Sequence, residues 1–228
     1  MELLRDGIKQ LPEYRQLLAA LDGGRSPVAL SGLSAIHRVH FAAAASGEQG
    51  VVLLCADEGE GQRLARDTAA LTGEEVPVLT ARSFHLQPGT VASHQWEQRR
   101  LALLDGLRRD RYPLIVATVE GLMQRTLPPQ TLEGACVTLE VGGRYDLNDL
   151  AAALTRAGYT RCQQVEGVGQ FALRGGILDV FSPLMDQPVR CEFFDDEIDS
   201  MGAFDPGTQR RTRNVSSARI LPAAEVLP

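Results

Sequence analysis

Hydrophobic and polar positions alternate along the first half of the chain in a repeating strand-and-helix order. Four short apolar runs have the length and composition of buried strands, at 27–32, 50–56, 76–81 and 112–118. The stretches between them have apolar residues at helical spacing, and strands that alternate with such helices are typical of a parallel sheet. This half is therefore predicted to be a parallel-sheet α/β domain.

Local signals indicate where several elements begin and end. Pro12 can open a helix at its first turn, where the missing N–H is not needed. Gly73 can end the predicted helix 58–73 as a C-cap residue, and Asp146 can cap the start of a later helix. The pair at 128–129 is Pro-Pro, which marks a boundary. We therefore expect the architecture to change after residue 128.

The second half follows a different pattern, in which one helix precedes closely spaced strands. These strands are predicted at 159–165, 169–174, 176–182, 188–194 and 197–204. One helix with clustered hairpins is typical of a smaller α+β domain with a mostly antiparallel sheet. The predicted organisation is an α/β domain over 1–128, an α+β domain over 129–222, and a linker or the start of a continuing module over 223–228.

Composition restricts the partners and the compartment. The chain of 228 residues has a formal net charge of −6 and a pI near 5.3, a poor starting point for holding a phosphate backbone. Its apolar runs are far shorter than the roughly 20 residues of a membrane helix, and the opening segment MELLRDGIKQ lacks the apolar core of a secretory signal. We expect a cytoplasmic protein with no membrane partner. Four cysteines lie far apart in sequence and are expected to be reduced, buried thiols rather than zinc ligands or disulfides: Cys55, Cys136, Cys162 and Cys191.

Residues 32–39 lie where a nucleotide-binding α/β domain would have its phosphate loop, GxxxxGK[ST]. Gly32 fits this pattern. His37 stands at the second glycine, Arg38 at the lysine and Val39 at the metal-binding hydroxyl. An imidazole prevents the close approach of backbone N–H groups to phosphate, and valine cannot hold magnesium. The loop is predicted to be degenerate, with no cofactor, and the chain to be non-catalytic.

Histidines offer little support for another enzyme site. His37 and His40 lie three residues apart on a predicted helix but lack a nearby third ligand, which favours a structural pair over a metal site. The residues around His85 and His94 give little support for a functional site. Neither a nucleophile elbow nor a dinucleotide-binding glycine pattern occurs in the sequence. No catalytic or metal-ligating residue is therefore predicted.

Two charged runs stand near the C-terminal end. The acidic run lies between apolar runs, which favours a solvated hairpin turn over a metal cluster; it contains Glu192, Asp195, Asp196, Glu197 and Asp199. The basic run of Arg210, Arg211 and Arg213 could contact DNA, although a short basic loop beside an acidic hairpin more often balances local charge. Direct DNA binding stays open as an alternative, with steep salt dependence as its signature.

Arg174 and Arg190 are single arginines inside apolar, strand-like runs. Each can pair internally, with Asp179, Glu192 or Asp195 as candidate partners. Each can also anchor another molecule through charge-assisted hydrogen bonds, and the two roles are compatible. We favour the interface role.

Phe193 and Phe194 are adjacent in the same predicted strand as Arg190. Successive strand residues point to opposite faces, so one phenylalanine can fill the core while the other lies outside. An exposed aromatic residue near arginines is the chemistry favoured at interface hot spots.

The segments VEGVGQFALRGGILDVFSP (165–183) and PVRCEFFDDEIDSMGAFDPGTQRR (188–211) closely resemble a motif pair of the transcription-repair coupling factor (Mfd) family and of its relative UvrB. The segments GLMQR and AGYTRCQQVEG are similar to the same family, and the first half resembles it more loosely. The degenerate loop at Gly32 resembles the coupling factors, because UvrB has an intact phosphate loop there. The resemblance spans essentially the whole chain.

The resemblance implies an adaptor. In the family, residues like 1–128 form a degenerate P-loop-like scaffold, and residues like 129–222 bind UvrA and so recruit nucleotide excision repair to RNA polymerase stalled at DNA lesions. Arg174, Arg190 and Phe194 match the family's UvrA-binding positions. Longer members are ATP-dependent DNA translocases, and a C-terminal domain covers their UvrA-binding face. The alternative is an ATP-dependent, UvrB-like repair helicase subunit with a divergent nucleotide site.

Overall fold

The structure is a computed structural model that describes residues 7–81 and 95–225. The helices are α1 (Pro12–Asp22), α2 (Ala35–Ala45), α3 (Glu58–Thr72), α4 (Gln95–Arg108), α5 (Val119–Met123), α6 (Pro129–Gly134) and α7 (Leu147–Arg156). The strands are β1 (Val51–Cys55), β2 (Val78–Leu79), β3 (Leu114–Thr118), β4 (Val137–Glu140), β5 (Thr160–Arg161), β6 (Gln170–Arg174), β7 (Ile177–Val180), β8 (Val189–Phe194), β9 (Glu197–Phe204), β10 (Arg211–Asn214) and β11 (Ser217–Ile220). Parallel and antiparallel sheets are both present, so the predicted mixed α/β class is confirmed.

The described residues form two compact units. The first contains 7–81 and 109–124, and the second contains 95–108 and 125–225. Helix α4 therefore groups with the second unit, although it precedes residue 128 in the sequence. The functions expected for 1–128 and 129–222 stay predictions.

The first unit is built on a parallel three-stranded sheet in the order β1-β3-β2. All five residues of the central strand β3 are buried, as expected for a parallel strand covered on both faces. The predicted strand at 27–32 is wrong, because this described segment is irregular. Leu30 packs against Tyr14 and Phe41 instead of entering a sheet, and Gly32 has a φ of +80°, outside the range of strands.

The three local signals at helix ends are confirmed. Pro12 is the first residue of α1. Gly73 ends α3 in the left-handed conformation, with φ +75° and its N–H donated to Ala69 O. The Asp146 side chain accepts hydrogen bonds from the backbone N–H groups of Asn148 and Asp149 at the start of α7.

The second unit contains a six-stranded sheet in the order β10-β9-β8-β7-β6-β5. Its strand pairs are antiparallel except β5 with β6, and β4 pairs separately with β11. One face of the sheet forms the main core with α7, which contributes Leu150 and Leu154. The antiparallel character predicted for this half is confirmed.

Ion pairs join helix α4 to the rest of the second unit. Arg219 in β11 donates from Nη2 to Asp105 Oδ1 at 2.9 Å and to Glu133 Oε2 at 2.7 Å. Arg100 in α4 donates from Nε to Glu225 Oε1 at 3.0 Å. The hydrogen bond from Arg219 lowers the pKa of Glu133. The folded domain around the six-stranded sheet therefore includes a helix that lies well before it in sequence.

In the part of the chain that the structure describes, helices are too short or too polar to cross a membrane.

Candidate partner-binding site

The six-stranded sheet has two chemically different faces. The core face holds Leu178, Val180, Val189 and Cys191, all buried. Burial raises the pKa of the Cys191 thiol to about 12. The alternating residues of β6, β7 and β8 lie on the opposite face. We call this second face, which holds Arg174, Asp179, Arg190 and Glu192, the open face.

Asp179 is the shared partner of both strand arginines. Its side chain is fully buried, and β7 pairs with β8 so that Asp179 stands directly opposite Arg190. Arg190 donates from Nε to Oδ1 at 2.7 Å and from Nη2 to Oδ2 at 2.8 Å. Arg174 donates from Nη2 to Oδ2 at 2.7 Å. Of the three candidate carboxylates, Asp179 is thus the internal partner.

Arg190 is fixed by several further contacts. Its guanidinium lies over the ring of Phe204, 4.5 Å from the centroid. It also donates to Gln209, at 3.1 Å to the side-chain Oε1 and 3.4 Å to the backbone carbonyl. The hydrogen bonds to Asp179 raise the pKa of Arg190. Arg190 is therefore a half-buried, permanently charged group with a defined orientation.

Arg174 and Phe194 are the accessible members of the predicted site. The Arg174 side chain is 48% exposed, and its contact with Asp179 leaves other guanidinium N–H groups open to solvent. Phe194 is 80% exposed, whereas Phe193 packs against the core. The prediction that the two phenylalanines point to opposite sides is confirmed.

The middle of the acidic run forms the turn between β8 and β9, as predicted, while Glu192 lies in β8 and Glu197 and Asp199 lie in β9. Asp195 adopts the left-handed conformation with φ +58°, and Asp196 follows it in the turn. Arg144 reaches Asp196 at 3.8 Å and Glu197 at 3.2 Å. These exposed ion pairs are partly screened by water.

The region compared with a phosphate loop does not follow a strand in the structure. Gly32 and Ser34 precede α2, and the Ser34 hydroxyl lies 3.1 Å from His37 Nδ1. His37 and Arg38 are exposed, whereas Val39 is fully buried. Val39 thus serves the core at the position where a phosphate loop has a hydroxyl.

Metal-ligating side chains converge at one place among the described residues. Asp105, Glu133 and Cys136 have ligand atoms within 4.8 Å of one another. Arg219 already binds both carboxylates, so its positive charge occupies the position that a cation would take. His37 and His40 are not in this group, and the other two histidines, His85 and His94, lie outside the described residues. All four cysteines are free; Cys55 and Cys191 are buried, but Cys136 and Cys162 are only half-buried, which corrects the expectation of four buried thiols.

Comparison with known proteins identifies the domain around the open face. Residues 137–225 match the family model described as the UvrB interaction domain. The chain is similar to the transcription-repair-coupling factor of Myxococcus xanthus, at 34% identity over 94% of this chain and 19% of the relative. The chain belongs to the transcription-repair-coupling factor family. The coupling factor of Bacillus subtilis is 27% identical over all of this chain and 20% of its own length. The chain spans about a fifth of the length of these coupling factors.

Two residues of this coupling-factor chain support the site but were not predicted from the sequence. Phe204 and Gln209 contact Arg190 from β9 and from the turn that follows it. Gln209 has φ +60° and donates from Nε2 to Val165 O at 3.2 Å and to Pro206 O at 2.8 Å. Both belong to the segment FDPGTQR of the family resemblance, which is the signal that could have found them.

Proposed function

We propose that this chain is a non-catalytic adaptor that binds UvrA through the open face and Phe194, and so recruits nucleotide excision repair to RNA polymerase stalled at DNA lesions. The observation that supports the proposal most is that a half-exposed Arg174 and an exposed Phe194 both belong to the segment that matches a UvrB interaction domain. Arg190 is the third proposed contact residue.

The charge balance of the open face suits an acidic partner. Arg174 and Arg190 share the single carboxylate of Asp179, so this group of three side chains has a net charge of +1. A carboxylate of UvrA can accept the free guanidinium N–H groups in a charge-assisted, bidentate contact. Because Asp179 already orders both arginines, little side-chain entropy is lost on binding.

Phe194, on the same strand as Arg190, supplies an apolar contact. An exposed phenylalanine on a rigid strand can enter a pocket of the partner and bury most of its ring. Phe194 is 80% exposed, whereas its neighbour Phe193 packs against the core. Its exposure therefore supports the proposed contact.

The first unit is proposed to be a scaffold with degenerate P-loop-like topology. Its parallel sheet suits this assignment, and His37 and Val39 replace residues that phosphate and magnesium require. In longer family members, we propose that an ATP-dependent DNA translocase follows and that a C-terminal domain covers the open face. This chain should then bind UvrA more tightly than its longer counterpart does.

Calorimetric titration of the chain into its cognate UvrA tests the proposal. Arg174→Ala should weaken binding by at least about thirtyfold, which corresponds to about 2 kcal/mol. Arg174→Lys should recover only part of this, because an ammonium cannot form the forked contact. Exposed Arg161 on β5 supplies a control, and Arg161→Ala should bind like the wild type. A wild-type chain that does not bind UvrA, or that binds ATP with micromolar affinity, would contradict the proposal; the second result would favour a UvrB-like ATPase.

A further inference from the structure

Arg211 begins β10, at the edge of the six-stranded sheet, and its side chain is exposed. Its guanidinium lies directly on the backbone of Gly202. A Cβ atom added to Gly202 would therefore overlap with Arg211 Nε. Nη2 donates to Ser200 Oγ at 3.3 Å, and this hydroxyl donates to Glu192 Oε2 at 2.7 Å. The guanidinium is thus held along the sheet.

Arg211 lies on the open face. Gly202 stands directly opposite Arg190 in the β8–β9 pair, and directly opposed residues point to the same side of a sheet. Arg211 itself stands opposite Phe204, whose ring lies beneath the Arg190 guanidinium. Arg174, Arg190 and Arg211 therefore lie on one face, on β6, β8 and β10.

We propose that Arg211 is a third arginine of the partner-binding surface and that it binds a carboxylate on an acidic surface of a protein partner. The inference rests on the proposed function, and it adds that UvrA should present an acidic surface with a carboxylate for Arg211. The open face has three positively charged guanidinium groups and two carboxylates, those of Asp179 and Glu192. These five side chains together have a net charge of +1.

A protein partner fits this face better than DNA does. The acidic residues 195–197 directly follow β8 and would repel a continuous phosphate backbone, and the whole chain has a net charge of −6. A protein can instead place separate carboxylates opposite separate arginines. Arg211 is therefore assigned to protein recognition, in preference to the DNA contact considered for residues 210–213.

Two variants test Arg211 in different ways. Arg211→Gln removes the charge, and we expect about tenfold weaker UvrA binding with an unchanged thermal midpoint. Gly202→Ala keeps the charge but displaces the guanidinium from its position, and we expect a loss of about fivefold. Arg161→Gln, at the opposite edge of the sheet, is the matched control and should stay within about twofold of the wild type.

The double variant shows whether Gly202 acts through Arg211. If it does, Gly202→Ala should cause no further loss when Arg211 is already glutamine. An equal loss in both backgrounds would assign the effect to the backbone and would overturn the positioning role of Gly202.

Arg174→Ala in the same series separates this inference from the proposed function. If Arg174→Ala weakens binding but Arg211→Gln and Gly202→Ala do not, the assignment of Arg211 fails while the adaptor function stands. If the wild type does not bind UvrA, both fail. If Arg211→Gln leaves UvrA affinity unchanged and instead lowers salt-sensitive affinity for a short DNA duplex, Arg211 is a DNA contact and the inference is overturned.

Discussion

Arg190 and Asp179 form a bidentate ion pair across neighbouring strands, with N–O distances of 2.7 and 2.8 Å. Because Arg174 donates to the same buried carboxylate, one negative charge orders two arginines on the open face. The two roles considered for these arginines, internal pairing and partner binding, are therefore compatible in one arrangement. Asp179 stabilises the domain and also orients the groups proposed to bind UvrA.

Replacing Asp179 with asparagine should destabilise the second unit. The buried carboxylate would be lost and two guanidinium groups would remain side by side without a counter-charge. Breaking a buried ion pair costs about 3–5 kcal/mol, and because both arginines can still reach water we expect about 2–3 kcal/mol. Urea denaturation measures this loss. Glu197→Gln, which removes an exposed acid, should change the free energy of unfolding by less than about 0.5 kcal/mol; similar losses for both variants would contradict the role of Asp179.

Replacing Arg219 with methionine should loosen helix α4. Methionine keeps much of the apolar stem but leaves the buried Asp105 carboxylate without its ion-pair contact to Arg219. We expect the free energy of unfolding to fall by about 2–3 kcal/mol and amide hydrogen exchange in α4 to accelerate. Arg156→Met, at an exposed position in α7, is the control. Unchanged exchange in α4 would show that the Arg219 ion pairs do not hold this helix.

Because the Cys191 thiol is buried, we expect the domain to lose stability at alkaline pH. Its folded-state pKa is raised from 9.0 to about 12 by burial, so folding favours the neutral thiol. This contribution is fully present below about pH 9 and is lost as pH rises from about 9 towards 12. Cys191→Ala should therefore be destabilising at pH 8, and its deficit relative to the wild type should shrink by about pH 10.5. A deficit that does not change with pH would contradict the burial of the thiol in its neutral form.

The sequence predicted those features that depend on local chemistry. Pro12, Gly73 and Asp146 act at helix ends as expected, because capping involves only neighbouring backbone groups. The opposite directions of Phe193 and Phe194 follow from strand geometry alone. Features of this kind need no knowledge of the tertiary fold.

Features that depend on tertiary packing were harder to predict. An apolar run such as 27–32 can enter a sheet or pack on helices, and periodicity does not separate the two outcomes. Strand β10 consists of four exposed residues, so its pairing with β9 leaves no hydrophobic pattern. Asp179, rather than Glu192 or Asp195, pairs with the arginines because the register of β7 against β8 places it opposite Arg190. The contact of Phe204 with Arg190 likewise depends on the register of β8 against β9.

Phe194→Ala provides the most direct test of UvrA binding by this domain. Phe194 is 80% exposed, so its removal should leave the thermal midpoint unchanged and act on binding alone. We expect the Phe194→Ala variant to bind its cognate UvrA at least about thirtyfold more weakly in a calorimetric titration, or by about 2 kcal/mol. Wild-type affinity in the Phe194→Ala variant would contradict UvrA binding through this surface, because the most exposed apolar residue of the proposed interface would then make no contribution to it.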